Sequence, residues 1–404
     1  MSNSGPGGRK KILFFAEAVT LAHMARPAVL AGLLDEGEFE VVLARDPRYE
    51  SLFPDLTIRQ EDLMSIPSAT FLEALARGKP LYSAEVLEKY VEDDLRLIDQ
   101  EKPDVVVGDF RLSLSVSSRL RDVPYVAIAN AYWSPYARPH YVIPEHPMTR
   151  LLWVPIADAL FRAIRPAAFA MHSLPLNRVR RRHSLSFLGL NLNRVYTDAD
   201  YVLYADVPQL ATMAALPDSH RFIGPVLWSP EHRYPDWWGA MDGRLPTVYL
   251  TLGSSGRSDL LPTILDALRD MPVQTLVSTA GLAGGLAAAP NLFIADFLPG
   301  DAASRRASLV ICNGGSLTTY QALAYGKPIL GIAGNLDQHL NMGDIEQFGA
   351  GIRLRTDRLN PDGVRLAVQS LLKEQVYSHS AGLLQKQIGE FDAGSRFTEF
   401  LRSL

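Results

Sequence analysis

The chain has 404 residues, 47% of them apolar and 21% charged, which is typical of a globular protein with more than one domain. Its net charge of −4 lacks the bulk basic character expected of a nucleic-acid-binding protein. The single cysteine, Cys312, excludes an intramolecular disulfide and a cysteine-based metal site, and favours a reducing compartment.

The chain starts with a polar segment that we expect to be disordered. The apolar run "ILFF" that follows is too short for a signal peptide or a membrane-spanning helix. These features predict a cytoplasmic protein.

The first half of the chain alternates short apolar runs with segments of helical spacing. This rhythm indicates a parallel, doubly wound α/β sheet. Strands are predicted at 10–18, 39–46, 104–110, 125–131 and 199–206, and helices at 26–37, 86–103 and 112–124.

The same rhythm restarts after a linker rich in proline, tryptophan and charge. We therefore predict an N-terminal domain at 1–226, a linker at 227–246, a C-terminal domain at 247–380 and a terminal helix at 381–404, which would pack back on the first domain. The fold class is α/β, with two Rossmann-like parallel-sheet domains facing across a cleft. Ligands of such sheets bind beyond the carboxyl ends of the strands.

The most informative stretch is "CNGGSLTTYQALAYGKPILGIAGNLDQHLN", residues 312–341. A buried strand leads into Gly314 and Gly315, where a helix begins and hydroxyl side chains follow, a combination suited to a diphosphate. Asp337 and Gln338 follow the next strand and can bind sugar hydroxyls. The alternative is that the glycines only turn the chain and that Asp-Gln caps a helix.

This stretch resembles the donor-site signature of nucleotide-sugar glycosyltransferases of the plant and bacterial natural-product type, which have the GT-B architecture. The matching positions are Gly314, Gly315, Thr318, Gly326, Pro328, Asp337, Gln338 and Asn341. Three positions depart from the pattern: Asn313 replaces a histidine, Leu317 a small residue and Gln321 a glutamate.

The resemblance implies a set of donor-binding residues. Those expected at the diphosphate are Gly253, Ser254, Ser255, Asn313, Gly314, Gly315, Ser316 and Thr318. Phe297, Leu298 and Gln321 are expected at the nucleoside, and Asp337 and Gln338 at the sugar. Gly300 replaces the usual glutamine near the base, so the identity of the base stays open; UDP and dTDP are the expected types.

A candidate catalytic pair lies in the first domain. The resemblance implies that His23 is the base that deprotonates the acceptor, with Asp109 at the end of a neighbouring strand as its partner. Glu17 is a reserve base. Arg26 would either bind an acceptor carboxylate or close a salt bridge.

The acceptor side is expected to be apolar. Tyr132, Trp133, Tyr136 and Tyr141 lie in an aromatic, proline-rich segment suited to lining a pocket. Residues 151–182 combine apolar and arginine positions; they form either a peripheral contact with anionic membrane or an acceptor-domain helix with a solvated basic face.

Taken with the resemblance, these features predict an inverting glycosyltransferase with no cofactor and no metal. It would move a sugar from a nucleotide diphosphate sugar to a hydroxyl of a hydrophobic small molecule or lipid. Two alternatives stay open. One is a sugar-nucleotide epimerase, and the other is a non-catalytic relative, for which the Asn313 and Gln321 substitutions argue.

Overall fold

The computed structural model describes residues 8–230, 232–241, 243–253, 256–281 and 289–404. They fall into two units. The first comprises the chain up to Arg138, Ala163–Val226 and Phe391–Leu404; the second comprises Pro139–Arg162 and Leu227–Glu390.

The first unit contains a parallel sheet of seven strands in the order β3-β2-β1-β4-β5-β6-β7. Strands β1 and β4 are the neighbours at which the order reverses direction, and Ala16 pairs with Asp109 there. The sheet is buried on both faces, which explains the nearly continuous apolar runs of its central strands. The strands are β1 Lys10–Ala16, β2 Phe39–Arg45, β3 Arg59–Asp62, β4 Val105–Asp109, β5 Tyr125–Ala129, β6 Tyr201–Tyr204 and β7 His220–Phe222.

Helices cover both faces of this sheet. Helix α1 begins at Leu21, five residues before the predicted start, so His23 lies in its first turn and Pro27 inside it. The sequence prediction had placed His23 in the preceding loop. The helices lying wholly in the first unit are α1 Leu21–Gly32, α2 Ser68–Ala76, α3 Ala84–Glu101, α4 Leu114–Leu120, α7 Leu192–Tyr196 and α14 Ala393–Ser403.

The second unit contains a parallel sheet of six strands in the order β10-β9-β8-β11-β12-β13. Its order reverses between β8 and β11, where Cys312 pairs with Thr251. Strand β13 was not predicted because its residues are only partly buried and alternate with arginine. The strands are β8 Thr247–Thr251, β9 Gln274–Ser278, β10 Leu292–Ala295, β11 Leu309–Cys312, β12 Ile329–Ala333 and β13 Gly351–Arg355.

Among the helices of the second unit, α8 and α12 share one apolar core with the strands. They are α5 Pro147–Leu151, α8 Leu261–Arg269, α9 Gly300–Arg306, α10 Ser316–Leu323, α11 Leu336–Phe348, α12 Pro361–Lys373 and α13 Gln375–Gly389. Helix α6, Val154–Arg182, has its first residues in the second unit and its residues from Ala163 in the first.

The division of the chain differs from the predicted domains at two places. Residues 139–162, expected in the first domain, belong to the second unit, where Arg355 donates to the carbonyl of Ile143 (2.6 Å) and Glu145 N–H to the carbonyl of Gly334 (2.6 Å). The predicted helix at 381–404 is two helices, α13 and α14. Helix α14 belongs to the first unit, where Phe397 packs on Phe14 with ring centroids 5.8 Å apart.

Candidate functional site

The candidate catalytic pair lies where the first sheet reverses its strand order, the usual place for a ligand site in such sheets. Asp109 ends β4 and is fully buried, and His23 is in the first turn of α1. Nδ1 of His23 lies 2.7 Å from Oδ1 of Asp109, and the His23 side chain is 20% exposed. Because the carboxylate accepts the Nδ1 proton, Nε2 is the nitrogen left to accept a proton from a substrate.

Arg26 is a third residue in contact with this pair. Its guanidinium donates from Nε to Oδ2 of Asp109 (2.7 Å) and from Nη2 to Oδ1 (2.9 Å). Burial lowers the pKa of Arg26, but the adjacent carboxylate of Asp109 outweighs this, and the pKa is raised. Of the two roles considered from the sequence, the structure therefore supports the salt bridge. The spacing of three residues from His23 on one helix face was the signal for this contact.

Glu17, the reserve base, is fully buried and both of its carboxylate oxygens are bonded. Arg111 donates to Oε2 (2.8 Å) and the Tyr90 hydroxyl to Oε1 (2.9 Å). Arg111 also donates to Asp94 (2.9 Å). Burial raises the pKa of Asp94, and Arg111 counteracts this only in part. Glu17 belongs to a buried ionic network, so the reserve-base interpretation was wrong.

His23 packs against one ring of an aromatic cluster. The Phe110 ring stacks on the imidazole with centroids 4.9 Å apart, and Phe110 has the left-handed φ of 57° that few non-glycine residues adopt. Phe71, Tyr82 and Tyr196 contact Phe110 at centroid distances of 6.0, 6.1 and 5.1 Å. The buried Tyr82 hydroxyl has no hydrogen-bond partner among the described residues.

The four predicted acceptor residues are dispersed. Trp133 joins the aromatic cluster through Tyr196 at 5.2 Å. Tyr132 is buried, and the ring of Tyr136 packs on His220 at 5.1 Å. Tyr141 lies in the second unit. Phe71, Tyr82, Phe110 and Tyr196 were not predicted, since no local pattern connects their distant segments.

The loop predicted to bind the diphosphate follows β11 and contains two glycines. Gly314 has φ 81°, and a Cβ atom there would lie 2.6 Å from Cγ of Met342. Gly315 is the N-cap of α10 and has no side chain with which to bond the first N–H groups of the helix. Nδ2 of Asn341 donates to the Gly314 carbonyl (2.8 Å) and to Oγ1 of Thr319 (2.9 Å), which fixes the loop.

The other described residues predicted at the diphosphate lie in or near the same loop. Oδ1 of Asn313 accepts from Gly315 N–H (3.1 Å), and the position of a Cβ on Gly253 would be 3.8 Å from Nδ2 of Asn313. Ser316 and Thr318 are partly exposed in the first turn of α10. The predicted residues Ser254 and Ser255 lie outside the described residues.

The Asp-Gln pair begins α11, and the two residues differ in role. Oε1 of Gln338 accepts from Gly334 N–H (2.9 Å) and Asn335 N–H (3.3 Å), while Gln338 N–H donates to Oδ1 of Asn335 (2.9 Å). The carboxamide oxygen of Gln338 thus caps the helix, as the alternative interpretation proposed. Asp337 is partly exposed in the first turn.

Two other polar groups in the informative stretch are uncharged. His339 is buried, and burial together with Arg355 and Arg353 lowers its pKa to about 3. Burial raises the pKa of Cys312 to about 12. At neutral pH neither residue carries charge, so neither is a phosphate-binding cation or a thiolate nucleophile.

The predicted nucleoside residues contact the segment expected to be only a linker. The Phe297 ring, 43% exposed, stacks on His232 at 5.1 Å. Nε2 of Gln321 donates to the Trp228 carbonyl (3.5 Å). A Cβ on Gly300 would lie 2.8 Å from Oε1 of Gln321, so the Gln321 side chain fills the space that the glycine leaves. Leu298 is buried.

The sequence and the fold resemble those of known proteins. The family described as erythromycin biosynthesis protein CIII-like, C-terminal domain, matches residues 263–390. Spinosyn rhamnosyltransferase SpnG, solved complexed with thymidine diphosphate, is similar with a TM-score of 0.70 and 19% identity, covering 97% of this chain and 100% of that one. Two Rossmann-like parallel sheets with this likeness define the GT-B fold.

Two relatives are much more similar in sequence. The "PGL/p-HBAD biosynthesis rhamnosyltransferase" of Mycobacterium bovis is 49% identical over 386 residues, 96% of this chain and 86% of the relative. The "PGL/p-HBAD biosynthesis glycosyltransferase" of Mycobacterium tuberculosis is 48% identical over 386 residues, 96% of this chain and 90% of the relative. The chain belongs to the family of natural-product glycosyltransferases that includes these enzymes, and it transfers a sugar from a nucleotide sugar.

Proposed function

We propose that this enzyme transfers a rhamnosyl or related group from a dTDP-sugar to a hydroxyl of a hydrophobic acceptor, with inversion and without a metal. The observation that carries the proposal is the contact of His23 with the buried Asp109, 2.7 Å long. A neutral imidazole held in one tautomer by a carboxylate is suited to accept the proton of an attacking hydroxyl.

Inversion follows from a single displacement. The acceptor oxygen attacks the anomeric carbon while His23 takes its proton and the nucleoside diphosphate leaves from the opposite face. Asp109 stabilises the imidazolium that forms, and it keeps the ring oriented. No covalent sugar intermediate is needed, since one base and one leaving group complete the step.

The leaving diphosphate acquires charge, and the Gly314–Gly315 loop supports its stabilisation. The backbone N–H groups at the start of α10 favour an anion there. Ser316 and Thr318 add hydroxyl donors. A preorganised set of donors of this kind can do the electrostatic work that a divalent cation does in other transferases.

The dTDP-rhamnose preference rests on the relatives. One relative of 49% identity is named a rhamnosyltransferase, and the SpnG structure contains thymidine diphosphate. Phe297, stacked on His232, offers an aromatic surface for the base. The side chain of Gln321 fills the space at Gly300, which keeps its amide near the surface formed by Phe297.

The acceptor is proposed from the aromatic cluster and from the same relatives, whose names place them in PGL/p-HBAD biosynthesis. Phe110 puts an aromatic ring against the proposed base, and Phe71, Tyr82 and Tyr196 pack on Phe110, which suits an apolar acceptor. The unpartnered Tyr82 hydroxyl can bond a polar group of that acceptor.

A peripheral membrane contact is proposed for the first part of the 151–182 segment. Leu151, Trp153, Ile156 and Leu160 are 84%, 72%, 56% and 43% exposed, which is unusual for residues so close together on a soluble surface. Arg150 and Arg162 flank them and favour an anionic lipid surface. No helix among the described residues is long and apolar enough to cross a bilayer.

The test is transfer from radiolabelled dTDP-rhamnose to a mycobacterial lipid extract, with the anomeric configuration of the product determined by NMR. We expect H23A to lower transfer by about 10²–10⁴-fold, the usual contribution of a general base. D109N should also lower it. Both variants should still be stabilised by dTDP, by about 2.7 kcal/mol at 100 times its dissociation constant.

Three results would contradict the proposal. Unchanged transfer in H23A would remove His23 from the role of base. Retention of the anomeric configuration would exclude a single displacement. Stabilisation of the wild type by UDP, GDP or ADP but not by dTDP would replace the proposed donor.

A further inference from the structure

Arg26 holds Asp109 more completely than His23 does. The two donors of Arg26 at 2.7 and 2.9 Å occupy both carboxylate oxygens, whereas Nδ1 of His23 contacts one of them. Arg26 is 5% exposed and Asp109 is fully buried. A buried bidentate pair has a fixed geometry, so the carboxylate cannot rotate away from the imidazole.

Arg26 is itself held from the other side. Its Nη1 donates to Oδ1 of Asn130 (2.8 Å), and Nδ2 of Asn130 donates to Asp206 (3.4 Å). Asp206 also accepts the backbone N–H of Ala131 (2.6 Å). A continuous series of contacts therefore runs Asp206–Asn130–Arg26–Asp109–His23. Asp206 and Asn130 follow β6 and β5, Asp109 ends β4, and Arg26 and His23 lie on α1.

Arg26 also acts on His23 directly. Nη2 of Arg26 lies 3.2 Å from Nδ1 of His23. When the Nδ1 proton of His23 points at Asp109, this nitrogen and Nη2 of Arg26 are both donors, so they do not bond each other. The guanidinium cation then lies against a ring that itself becomes a cation on protonation. The carboxylate favours protonation of the ring, and the guanidinium opposes it.

We propose that Arg26 is a positioning residue that fixes Asp109 for His23 and, through its charge, reduces the basicity that this carboxylate would otherwise give the imidazole. The guanidinium thereby holds the carboxylate in place and offsets part of its attraction for a proton on the ring. This inference adds to the proposed role of His23 and rests on it for the catalytic consequence only.

The other groups around the pair do not supply this balance. Phe110 covers one face of the imidazole and does not titrate. Asp206 and Tyr132 act electrostatically on Arg26 and reinforce its cationic state. Arg26 is thus the cation that the described contacts place against both members of the pair.

The experiment is an NMR titration of the His23 ring in the full chain, with the signal assigned by its loss in H23Q. R26Q removes the charge and keeps a donor for Asp109, while R26K keeps the charge and loses the planar contact of two nitrogens with the carboxylate. We expect the titration midpoint of His23 to rise by about one pH unit or more in R26Q, and by less than half as much in R26K. Thermal unfolding confirms that each variant is folded.

The kinetic part separates positioning from a merely structural role. In R26Q the acidic limb of the kcat/KM profile should move to higher pH by the same amount. In R26K the limb should stay while kcat falls about tenfold or more, because the carboxylate is less well oriented.

Three results would overturn the inference. A His23 midpoint in R26Q that is equal to or below that of the wild type would remove the electrostatic role. A midpoint that rises as far in R26K as in R26Q would show that the charge is not the cause. If R26Q does not fold, R26K decides: full kcat would remove the positioning role. The titration needs no substrate, so it decides the inference even if the wild type fails to transfer rhamnose.

Discussion

His339 should make the second unit sensitive to acid. It lies on α11 inside the donor-site stretch and is 1% exposed. Burial, with Arg355 and Arg353 nearby, lowers its pKa from 6.5 to about 3. The folded state therefore binds fewer protons than the unfolded state between these values, and stability declines as the pH falls through 6.5 toward 3.

The size of the effect follows from the two pKa values. Lowering the pH from 7.5 to 5.0 should cost the wild type about 2 kcal/mol of unfolding free energy through this one group. In H339L and H339Q the group is absent, so this part of the pH dependence should vanish. The change in packing alters the stability of each variant equally at both pH values, so it cancels in the comparison.

The measurement is urea denaturation followed by tryptophan fluorescence at several pH values. Four of the five tryptophans, Trp153, Trp228, Trp237 and Trp238, lie in the second unit, so the signal reports mainly on it. If the unfolding free energies of the wild type and both variants run parallel between pH 7.5 and 5.0, His339 does not titrate as its burial requires.

Three further predictions concern ligands and surfaces. G314A should lower the unfolding free energy by about 1–3 kcal/mol and weaken dTDP binding, because φ at Gly314 is 81° and the new Cβ would meet Met342. Stability and affinity equal to those of the wild type would refute the role of this loop. Excess EDTA should leave transfer unchanged, and a loss restored by Mg²⁺ would refute metal independence. W153S and I156S should reduce co-sedimentation with anionic phosphatidylglycerol vesicles. L366S, which replaces a leucine of α12 that is 67% exposed, should not reduce it. Equal binding by all three variants would place the membrane contact elsewhere.

Much of the fold was predictable because buried parallel strands have a strong local signature. The apolar runs that became β1, β4, β8 and β11 are short, nearly continuous and followed by glycine or a polar residue. The start of α1 was missed because Pro27 suggested a helix beginning near it. Proline is unfavourable inside a helix, and only tertiary packing fixes it there.

The catalytic pair was predictable, but its surroundings were not. His23 and Asp109 each end a local pattern that the sequence displays. Phe71 and Tyr196 contact the ring of Phe110 from segments far apart in the chain. In the sequence, these two residues cannot be distinguished from ordinary core residues. His232 was missed for a related reason: the composition of 227–246 is that of a linker, which says nothing about what it packs on.

The last helix bears on how the protein is made. Phe397 and Leu401 of α14 complete the core that β1 and α1 begin, and Lys10 donates to the carbonyl of Leu401 (2.8 Å). At roughly 5–20 residues per second, a ribosome reaches these residues about 9 to 35 s after it passes Val226. The unit translated first therefore spends that interval with part of its core exposed, and this core is completed only when α14 has been synthesised.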